Sequence, residues 1–426
     1  MLLVAGVTAS AQSGAYNDYT PYSVYGIGTL HLQGTTWNAG MGGIGIANRN
    51  KRFVNLLNPA SATARDSLSF MADFGLSGRV SLYRQEDVKS ANNLMNINDF
   101  VISFPLFRNT AAMIGITPFS DTGYNFTYVE TDKNLIGKTG PQAYSAGGAG
   151  GTYQFFAGGA VTFWKRLSLG AEYILFFGDI EKNVNMAFSE STFRSIQSGN
   201  ILQLRGSTAK VGLQYEQPLG GGTVLTGGAT YRLKSRMRGN TTEYAYATLS
   251  SLTDTLRHKE TDLGASKSLH FGDELGVGLS LRGSDRWMAE FDYTRSDWRS
   301  SGFDAANGFS NSSRYVFSSS VGQSFRAGFE FTPNRNDIRY FLRRCTYRGG
   351  AYYEQSYFRL DGKPVDSYGI TIGMTLPVFR GYNGLSVAAD IGRRGTLRDG
   401  MIRETYLGFH LGMNIFDIWF QKPRYE

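Results

Sequence analysis

The sequence predicts an all-β fold, a 14-stranded antiparallel transmembrane β-barrel with an N-terminal hatch inside the lumen. Three observations predict this fold: an unusual composition, alternating apolar and polar residues, and connections that alternate in length. Gly accounts for 53 of the 426 residues, aromatic residues for 14% and charged residues for 18%, whereas soluble domains carry about 25% charge. The composition excludes a disordered chain, and after the first dozen residues no apolar run reaches the ~18 residues of a transmembrane helix.

Alternation of apolar and polar residues defines fourteen segments. Between residues 274 and 281, the odd positions are Leu, Val, Leu and Leu, and the even positions are Glu, Gly, Gly and Ser. Strict alternation indicates a strand with one apolar and one polar face. The fourteen predicted strands are 68–84, 98–108, 111–127, 152–163, 167–186, 201–217, 223–238, 268–282, 286–296, 321–332, 338–355, 367–377, 384–393 and 402–416.

The connections between these strands alternate in length. After the even strands they are short: 108–110, 164–166, 218–222, 283–285, 333–337 and 378–383. After the odd strands they are mostly longer, and the longest cover 239–267 and 297–320. Outer-membrane barrels have short turns on one side and long loops on the other. A soluble β-sandwich would also alternate, but it has no reason to place every long loop at one end.

The chain divides into four regions. Residues 1–11 resemble the end of a secretory signal peptide, cut after Ala11, without its basic start; export makes the single Cys345 an unpaired, buried thiol. Residues 12–67 form the predicted hatch, 68–420 the barrel and 421–426 a short periplasmic tail. Phe416, Trp419 and Phe420 resemble the C-terminal signal by which barrels are inserted.

The predicted hatch does not alternate. It contains a Gly-rich apolar stretch, 40–47, and then the motif Asn58-Pro59-Ala60. Asn58 is a good helix cap and Pro59 suits the first helical position, so a short helix should run to about Ala64. These residues are too few to form their own core, and a barrel of fourteen strands is wider than side chains alone can fill. The hatch is therefore predicted inside the lumen.

The Gly-rich stretch 41–47, the Asn58-Pro59-Ala60 motif and the strand start 66–70 resemble the outer-membrane long-chain fatty-acid transporter family (FadL-like), which includes transporters of aromatic hydrocarbons. Segments 228–235 and 325–333 are also similar to strands of that family. The resemblance implies a divergent member that takes a hydrophobic ligand from outside and releases it sideways through a gap where strand 3 kinks.

The predicted gap lies at 118–123, with Pro118, Phe119, Ser120 and Gly123 as its residues. Proline removes a donor from the strand ladder and requires a bulge or a break, and Gly123 permits the return bend. A simple bulge near the rim, without any passage, is the alternative explanation of the same residues.

Two sets of side chains are candidates for ligand binding. Ile44, Ile46, Phe53, Leu56 and Leu57 would line the ligand site, or else pack against the barrel whether or not a ligand exists. The predicted head-group cations alternate with apolar neighbours and should point inward or lie at the rim; they are Arg205, Lys210, Arg232 and Arg326. They could hold a carboxylate. The alternative is ion pairing with lumen acids, namely Glu172, Glu216, Glu274, Glu290, Asp292 and Glu330.

The sequence carries no signature of an enzyme, a metal site, a cofactor or a nucleic-acid partner. Its four His residues are scattered without metal-ligand spacing. Its basic residues, which give a net charge of +8, are spread out rather than clustered. The expected partners are the outer-membrane bilayer and a hydrophobic small molecule. Two functions stay open: a transporter for hydrophobic small molecules, and a non-transporting barrel subunit or scaffold that binds other outer-membrane proteins in a secretion or assembly machine.

Overall fold

The structure, a computed structural model, describes residues 18–66, 69–131, 137, 139–188, 192–249, 252–262, 269–284, 286–305, 315–378 and 383–418. The predicted signal-peptide remnant 1–11, the residues Trp419 and Phe420 and the predicted tail 421–426 lie outside these described residues. No helix within the described ranges is long and apolar enough to cross a membrane.

The described residues form fourteen strands, several of them interrupted, which run antiparallel to their neighbours. They are β1 Ser69–Gln85, β2 Val88–Phe107, β3 Thr110–Asp121 with Tyr124–Glu130, β4 Gln142–Phe163, β5 Leu167–Phe188, β6 Ser195–Gly220, β7 Thr223–Arg232 with Ser235–Arg238 and Asn240–Leu249, β8 Leu252–Asp262 with His270–Phe271 and Asp273–Gly283, β9 Trp287–Asp297, β10 Phe317–Ser319 with Val321–Phe331, β11 Thr346–Leu360, β12 Lys363–Leu376, β13 Gly384–Arg394 and β14 Arg403–Ile418.

The sheet closes on itself because the first and last strands pair. The register of β1 with β14 runs from Ser69 opposite Ile418 to Arg84 opposite Arg403. Closure gives the backbone groups of both edge strands partners, which a sheet inside lipid requires. The predicted all-β, 14-stranded antiparallel barrel is confirmed.

The two faces of the barrel differ as the alternation predicts. On the outer face Leu279 is 55% exposed and Ile370 is 66% exposed, whereas the neighbouring Ser280 and Thr371 point inward and are buried. An apolar outer face around a polar lumen is the arrangement of barrels that span a membrane.

Several connections that the sequence predicts as loops are hairpins. Strand β2 begins at Val88 rather than at residue 98, and β4 begins at Gln142 rather than at residue 152. Only residues 86–87 separate β1 from β2, and only residues 361–362 separate β11 from β12. The strands therefore extend beyond the apolar belt on the long-connection side of the barrel.

The connection after β10 is longer than predicted. The sequence places a turn at 333–337 and starts the next strand at residue 338, but β11 begins at Thr346. A short helix, Phe341–Arg344, occupies the intervening chain. Asp337 accepts hydrogen bonds from the backbone N–H groups of Arg339 and Tyr340, both at 2.8 Å, which favours a turn over a strand. Cys345 is free and buried, as predicted.

Residues 18–66, here called the N-terminal segment, contact the lumen faces of strands all around the barrel. The segment contains 3-10 helices Pro21–Val24 and Pro59–Thr63, the short strand Thr29–Leu30 and the four-residue α-helix Thr36–Ala39. Lumen-facing glycines let its backbone approach closely. A Cβ added to Gly170 of β5 would lie 2.4 Å from the Ala60 nitrogen, and one added to Gly350 of β11 would lie 2.3 Å from the Gly42 nitrogen.

Candidate functional site

Two buried carboxylates of β9 hold the middle of the N-terminal segment. The Asp292 carboxylate accepts the backbone N–H groups of Gly45 and Ile46 at 2.7 and 2.9 Å. Glu290, two residues earlier on the same face, accepts the backbone N–H of Ala47 at 2.8 Å. These backbone donors have no partner within the segment, so the barrel supplies their acceptors. The segment is thus bound to one wall by its main chain.

The predicted cap at Asn58 is present. The Asn58 side-chain oxygen accepts the backbone N–H of Ala60 at 3.0 Å, and Pro59 begins the 3-10 helix. The side-chain amide of Asn58 also donates to the backbone oxygen of Ile46 at 2.8 Å. One residue therefore both starts the helix and ties it to the strand-bound stretch of the segment.

A second lumen cluster joins α-helix Thr36–Ala39 to β10 and β11. Glu330 accepts a hydrogen bond from the Trp37 indole N–H at 2.9 Å and pairs with Arg348 at 3.0 Å. The Arg348 side chain is 1% exposed. A charge this deeply buried is tolerated only where a counter-charge and hydrogen bonds compensate for lost hydration. The cluster fixes the helix against the barrel.

The barrel wall is incomplete between β2 and β3. These strands pair from Phe107 opposite Thr110 up to Phe100 opposite Ile116, and no pairing continues beyond that point. The upper part of β2, residues 88–99, pairs with β1 on its other side. An opening between two strands therefore begins about midway along the wall.

The N-terminal segment covers the β3 edge of this opening. Its strand Thr29–Leu30 pairs antiparallel with Ser120 and Asp121 of β3. The next residue, His31, donates its backbone N–H to the Phe119 oxygen at 2.9 Å. On the opposite edge, the Asn98 amide of β2 donates to the Gly34 oxygen at 3.0 Å. The segment thus bridges the opening without completing the β2–β3 ladder.

The residues predicted to form the gap lie along this edge. Pro118 pairs with Tyr153 of β4, and the β3–β4 register shifts between Pro118 and Ser120. Phe119 points into the lumen, where its ring packs 4.7 Å from the Phe176 ring and 5.2 Å from the Phe271 ring. Gly123 lies at the break in β3, and its N–H donates to the Ser23 hydroxyl at 3.0 Å.

A cavity of about 180 Å³ lies in the lumen between the N-terminal segment and the long-connection end. Three of the predicted ligand-lining residues, Ile46, Leu56 and Leu57, line it. The other two do not: Ile44 and Phe53 are buried in a separate cluster with Trp37, Met41 and Met288. They contribute to packing, which is the alternative that the sequence left open.

The predicted head-group cations separate into two groups. Lys210 pairs with Glu172 at 3.6 Å, Arg232 with Glu274 at 3.5 Å and Arg326 with Glu354 at 2.6 Å. All six of these side chains line the main cavity, so its charged wall is largely internally compensated. Arg205 differs from the prediction, because it is exposed on the outer face between the buried Leu204 and the lumen-facing Gly206.

A smaller cavity, of about 100 Å³, adjoins the wall opening. Leu94 and Asn96 of β2 line it on one side and Thr29 and Leu30 of the N-terminal segment on the other. The main cavity is also lined by residues 29–33, so this stretch borders both cavities. Residues 29–33 therefore lie between the lumen cavity and the opening in the wall.

Thr29, Leu30, Gln33 and Asn98 were not predicted from the sequence. The Gln33 side chain reaches β3 and β4 through Pro118 and Gln154, which no local pattern signals. Within the described ranges, no group of three His, Cys, Asp or Glu side chains could hold a metal ion.

Comparison with solved structures identifies the class of fold. The fold matches three solved structures at low sequence identity: the CymD monoaromatic hydrocarbon channel (15% identity, 90% of this chain and 97% of that chain, TM-score 0.55), the P. putida toluene transporter TodX (13%, 92% and 100%, 0.56) and a Pseudomonas aeruginosa FadL homologue (12%, 93% and 100%, 0.55). The resemblance to FadL-like barrels is confirmed for the fold. With the apolar outer belt, this fold places the chain in the bacterial outer membrane.

The particular family follows from the sequence. A family model described as BamG matches residues 1–426, and the chain belongs to the BamG family. No curated protein matches the sequence.

Proposed function

We propose that this protein is an outer-membrane channel for hydrophobic small molecules, fatty-acid-like or aromatic, which leave the lumen sideways between β2 and β3. The observation that carries the proposal is the end of β2–β3 pairing at Phe100 and Ile116 beside a lumen cavity. Strand edges without hydrogen-bond partners are costly in lipid, so the opening in the wall favours a function that needs it.

The surroundings of the opening favour an apolar cargo. Leu30, Leu32 and Leu56 line the main cavity, and Phe119 belongs to the aromatic cluster near its long-connection end. Exposed apolar side chains flank the opening on the outer face: Met95 and Ile97 are 74% and 61% exposed. A hydrophobic molecule that leaves here would enter the bilayer directly. The named cargoes of the channels with this fold, monoaromatic hydrocarbons and toluene, belong to the same chemical class.

Transport can be tested by filling the opening. Asn96→Trp places a large ring at the β2 edge of the smaller cavity. In proteoliposomes, we expect uptake of a monoaromatic hydrocarbon or a long-chain fatty acid, each tested separately, to fall about tenfold or more. Leu279→Trp is the matched control, because Leu279 is exposed on the outer face of β8, away from the opening, and its replacement should leave uptake unchanged. No uptake by the unaltered protein, or equal uptake by both variants, would contradict lateral release.

A non-transporting scaffold within a larger outer-membrane complex is the second candidate. Two observations favour it: the N-terminal segment is held by buried ionic contacts, and the two cavities along the proposed route, of about 180 and 100 Å³, are smaller than the ~300–1,000 Å³ of most ligand sites. Extraction in mild detergent, followed by sizing and mass spectrometry, separates the candidates. A partner recovered at one-to-one with no hydrophobic uptake would select the scaffold.

A further inference from the structure

A third cavity, of about 340 Å³, lies at the short-turn end of the barrel. Strand β9 locates this cavity along the barrel axis. Trp287 and Met288, at the start of the strand, line the third cavity, whereas Asp292 and Thr294, farther along the strand, line the main cavity. Between the two levels the N-terminal segment crosses the lumen, bound to Glu290 and Asp292. The third cavity is therefore separate from the proposed transport route.

The charge of this third cavity is strongly positive. Its cationic lining residues are Arg49, Lys51, Arg52, Arg65, Arg282 and Arg335. Its carboxylates, Glu216 and Glu330, are already engaged. Arg49 and Arg282 share Glu216 at 2.9 and 3.5 Å, and Glu330 pairs with the buried Arg348 at 3.0 Å and with Arg335 at 3.8 Å. Lys51 pairs with Asp66, which lies outside the lining, at 3.3 Å. The described lining residues thus include six cations and two carboxylates, so the lining carries a net positive charge.

Two arginine nitrogens at this cavity are buried without a hydrogen-bond partner among the described residues. They are Nη1 of Arg65 and Nε of Arg335. The Arg65 Nε donates to the Ala62 backbone oxygen at 2.7 Å, and no described carboxylate pairs with its guanidinium. Burial lowers the pKa of Arg65 to about 10, so the group is still cationic at neutral pH. A buried cationic donor without an acceptor is costly, and an anion in the cavity would supply the acceptor.

We propose that this cavity binds a phosphate group, carried either by a small soluble phosphate ester or by a lipid head group. Guanidinium groups present forked donors that match phosphate oxygens, and Arg65 and Arg335 supply such donors in a lining of net positive charge. The cavity is large enough for a phosphate together with part of the molecule that carries it. The proposal does not depend on transport through the barrel wall.

The test uses the full chain purified in detergent and calorimetric titration with two probes. One is inorganic phosphate, and the other is dihexanoyl phosphatidic acid, compared with dihexanoyl glycerol, which lacks the phosphate. We expect one or both phosphate probes to bind, and Arg65→Gln and Arg335→Gln each to weaken binding at least tenfold. Binding of inorganic phosphate indicates a soluble ligand, and binding of phosphatidic acid alone indicates a lipid head group; either result supports the site.

Arg286→Gln is the matched control, because Arg286 is an exposed arginine of the same end that does not line the cavity. The Arg286→Gln variant should bind the phosphate probes as tightly as the unaltered protein. Unheated gel migration verifies that each variant forms the folded barrel, and Arg335, on a surface turn, provides a second variant if Arg65→Gln does not fold. The proposal is overturned if neither probe binds, or if the control loses as much affinity as the two cavity variants.

Discussion

Glu330 accepts contacts from two different parts of the molecule, the Trp37 indole of the N-terminal segment and the Arg348 guanidinium of β11. Glu330→Gln would leave Arg348, 1% exposed, without its counter-charge. Removing one partner of a buried pair costs about 3–5 kcal/mol. We expect the variant to lose that much free energy of unfolding, measured by denaturant titration in detergent micelles.

A second substitution tests whether stability is lost because Arg348 has no counter-charge. In Glu330→Gln/Arg348→Met both charges of the deeply buried pair are absent, and the other cation paired with Glu330, Arg335, has a side chain that is 21% exposed. The double variant should recover more than half of the stability lost by the single variant, because apolar replacements of buried pairs are often near neutral. Equal instability of the single and double variants would show that the charge pair is not what holds this cluster.

Cys345 offers a prediction about reactivity. Its side chain is buried beside the Phe341 backbone oxygen, in the connection before β11 and outside the spanning strands. Burial raises the pKa of this thiol, so its thiolate fraction at pH 8 is below that of an ordinary Cys with a pKa near 8.5. Iodoacetamide should therefore label the folded protein slowly, and faster as pH rises. Rapid labelling at pH 8, equal to that of the denatured chain, would contradict the burial.

Residue-level features were predictable from the sequence where they depend on neighbours in the chain. Asn58 and Pro59 define a helix start through contacts within three residues, and the structure contains that start. The contact of Asn98 with Gly34 joins residues 64 positions apart, and nothing in either local sequence indicates the other. The side chains of Lys210, Arg232 and Arg326 were partly predictable. The alternation predicted that they point inward, but their ion-pair partners depend on the strand register, which the sequence does not give.

At the scale of elements, the contact between the short N-terminal strand and β3 depends on one glycine. Gly28 has φ +90°, and an added Cβ would lie 2.1 Å from the Asp121 backbone oxygen. Gly28→Val should therefore detach Thr29–Leu30 from β3 and expose the stretch before Gly34 to protease. Gly227→Ala is the control, because a Cβ there meets nothing within 4 Å. Equal cleavage of the two variants in limited proteolysis would show that this strand contact is dispensable.

Strands were predictable where their two faces meet different surroundings. Period-two alternation found β8 and β9 because one face meets lipid and the other the wet lumen. It missed the beginning of β2, where residues 88–93 are all polar apart from Val88 and Ala91 and all six are at least partly exposed. Beyond the bilayer both faces of a hairpin contact water, so the sequence there does not need to alternate between apolar and polar residues. The opening between β2 and β3 was predicted only as a defect within strand 3, because pairing is a property of two strands.

At the scale of the whole molecule, the N-terminal segment is held in two different ways. Residues 45–47 are tied by their backbone to the buried acids of β9, whereas residues 20–34 bridge the wall opening. A protein that releases cargo sideways needs the second stretch to move while the first remains in place. A rigid scaffold needs neither to move. The two candidate functions thus predict different local stabilities within one segment.

Hydrogen exchange measured by mass spectrometry on the detergent-solubilised chain can decide between them. If transport is correct, the amides of Gly45, Ile46 and Ala47 should exchange as slowly as those of central barrel strands, because they open only with the barrel. The amides of residues 28–31 should exchange at least tenfold faster, since they open with the gap. Filling the gap with Asn96→Trp should slow the second group and leave the first unchanged. Uniform slow exchange along the whole segment would argue against a moving gate and favour the scaffold.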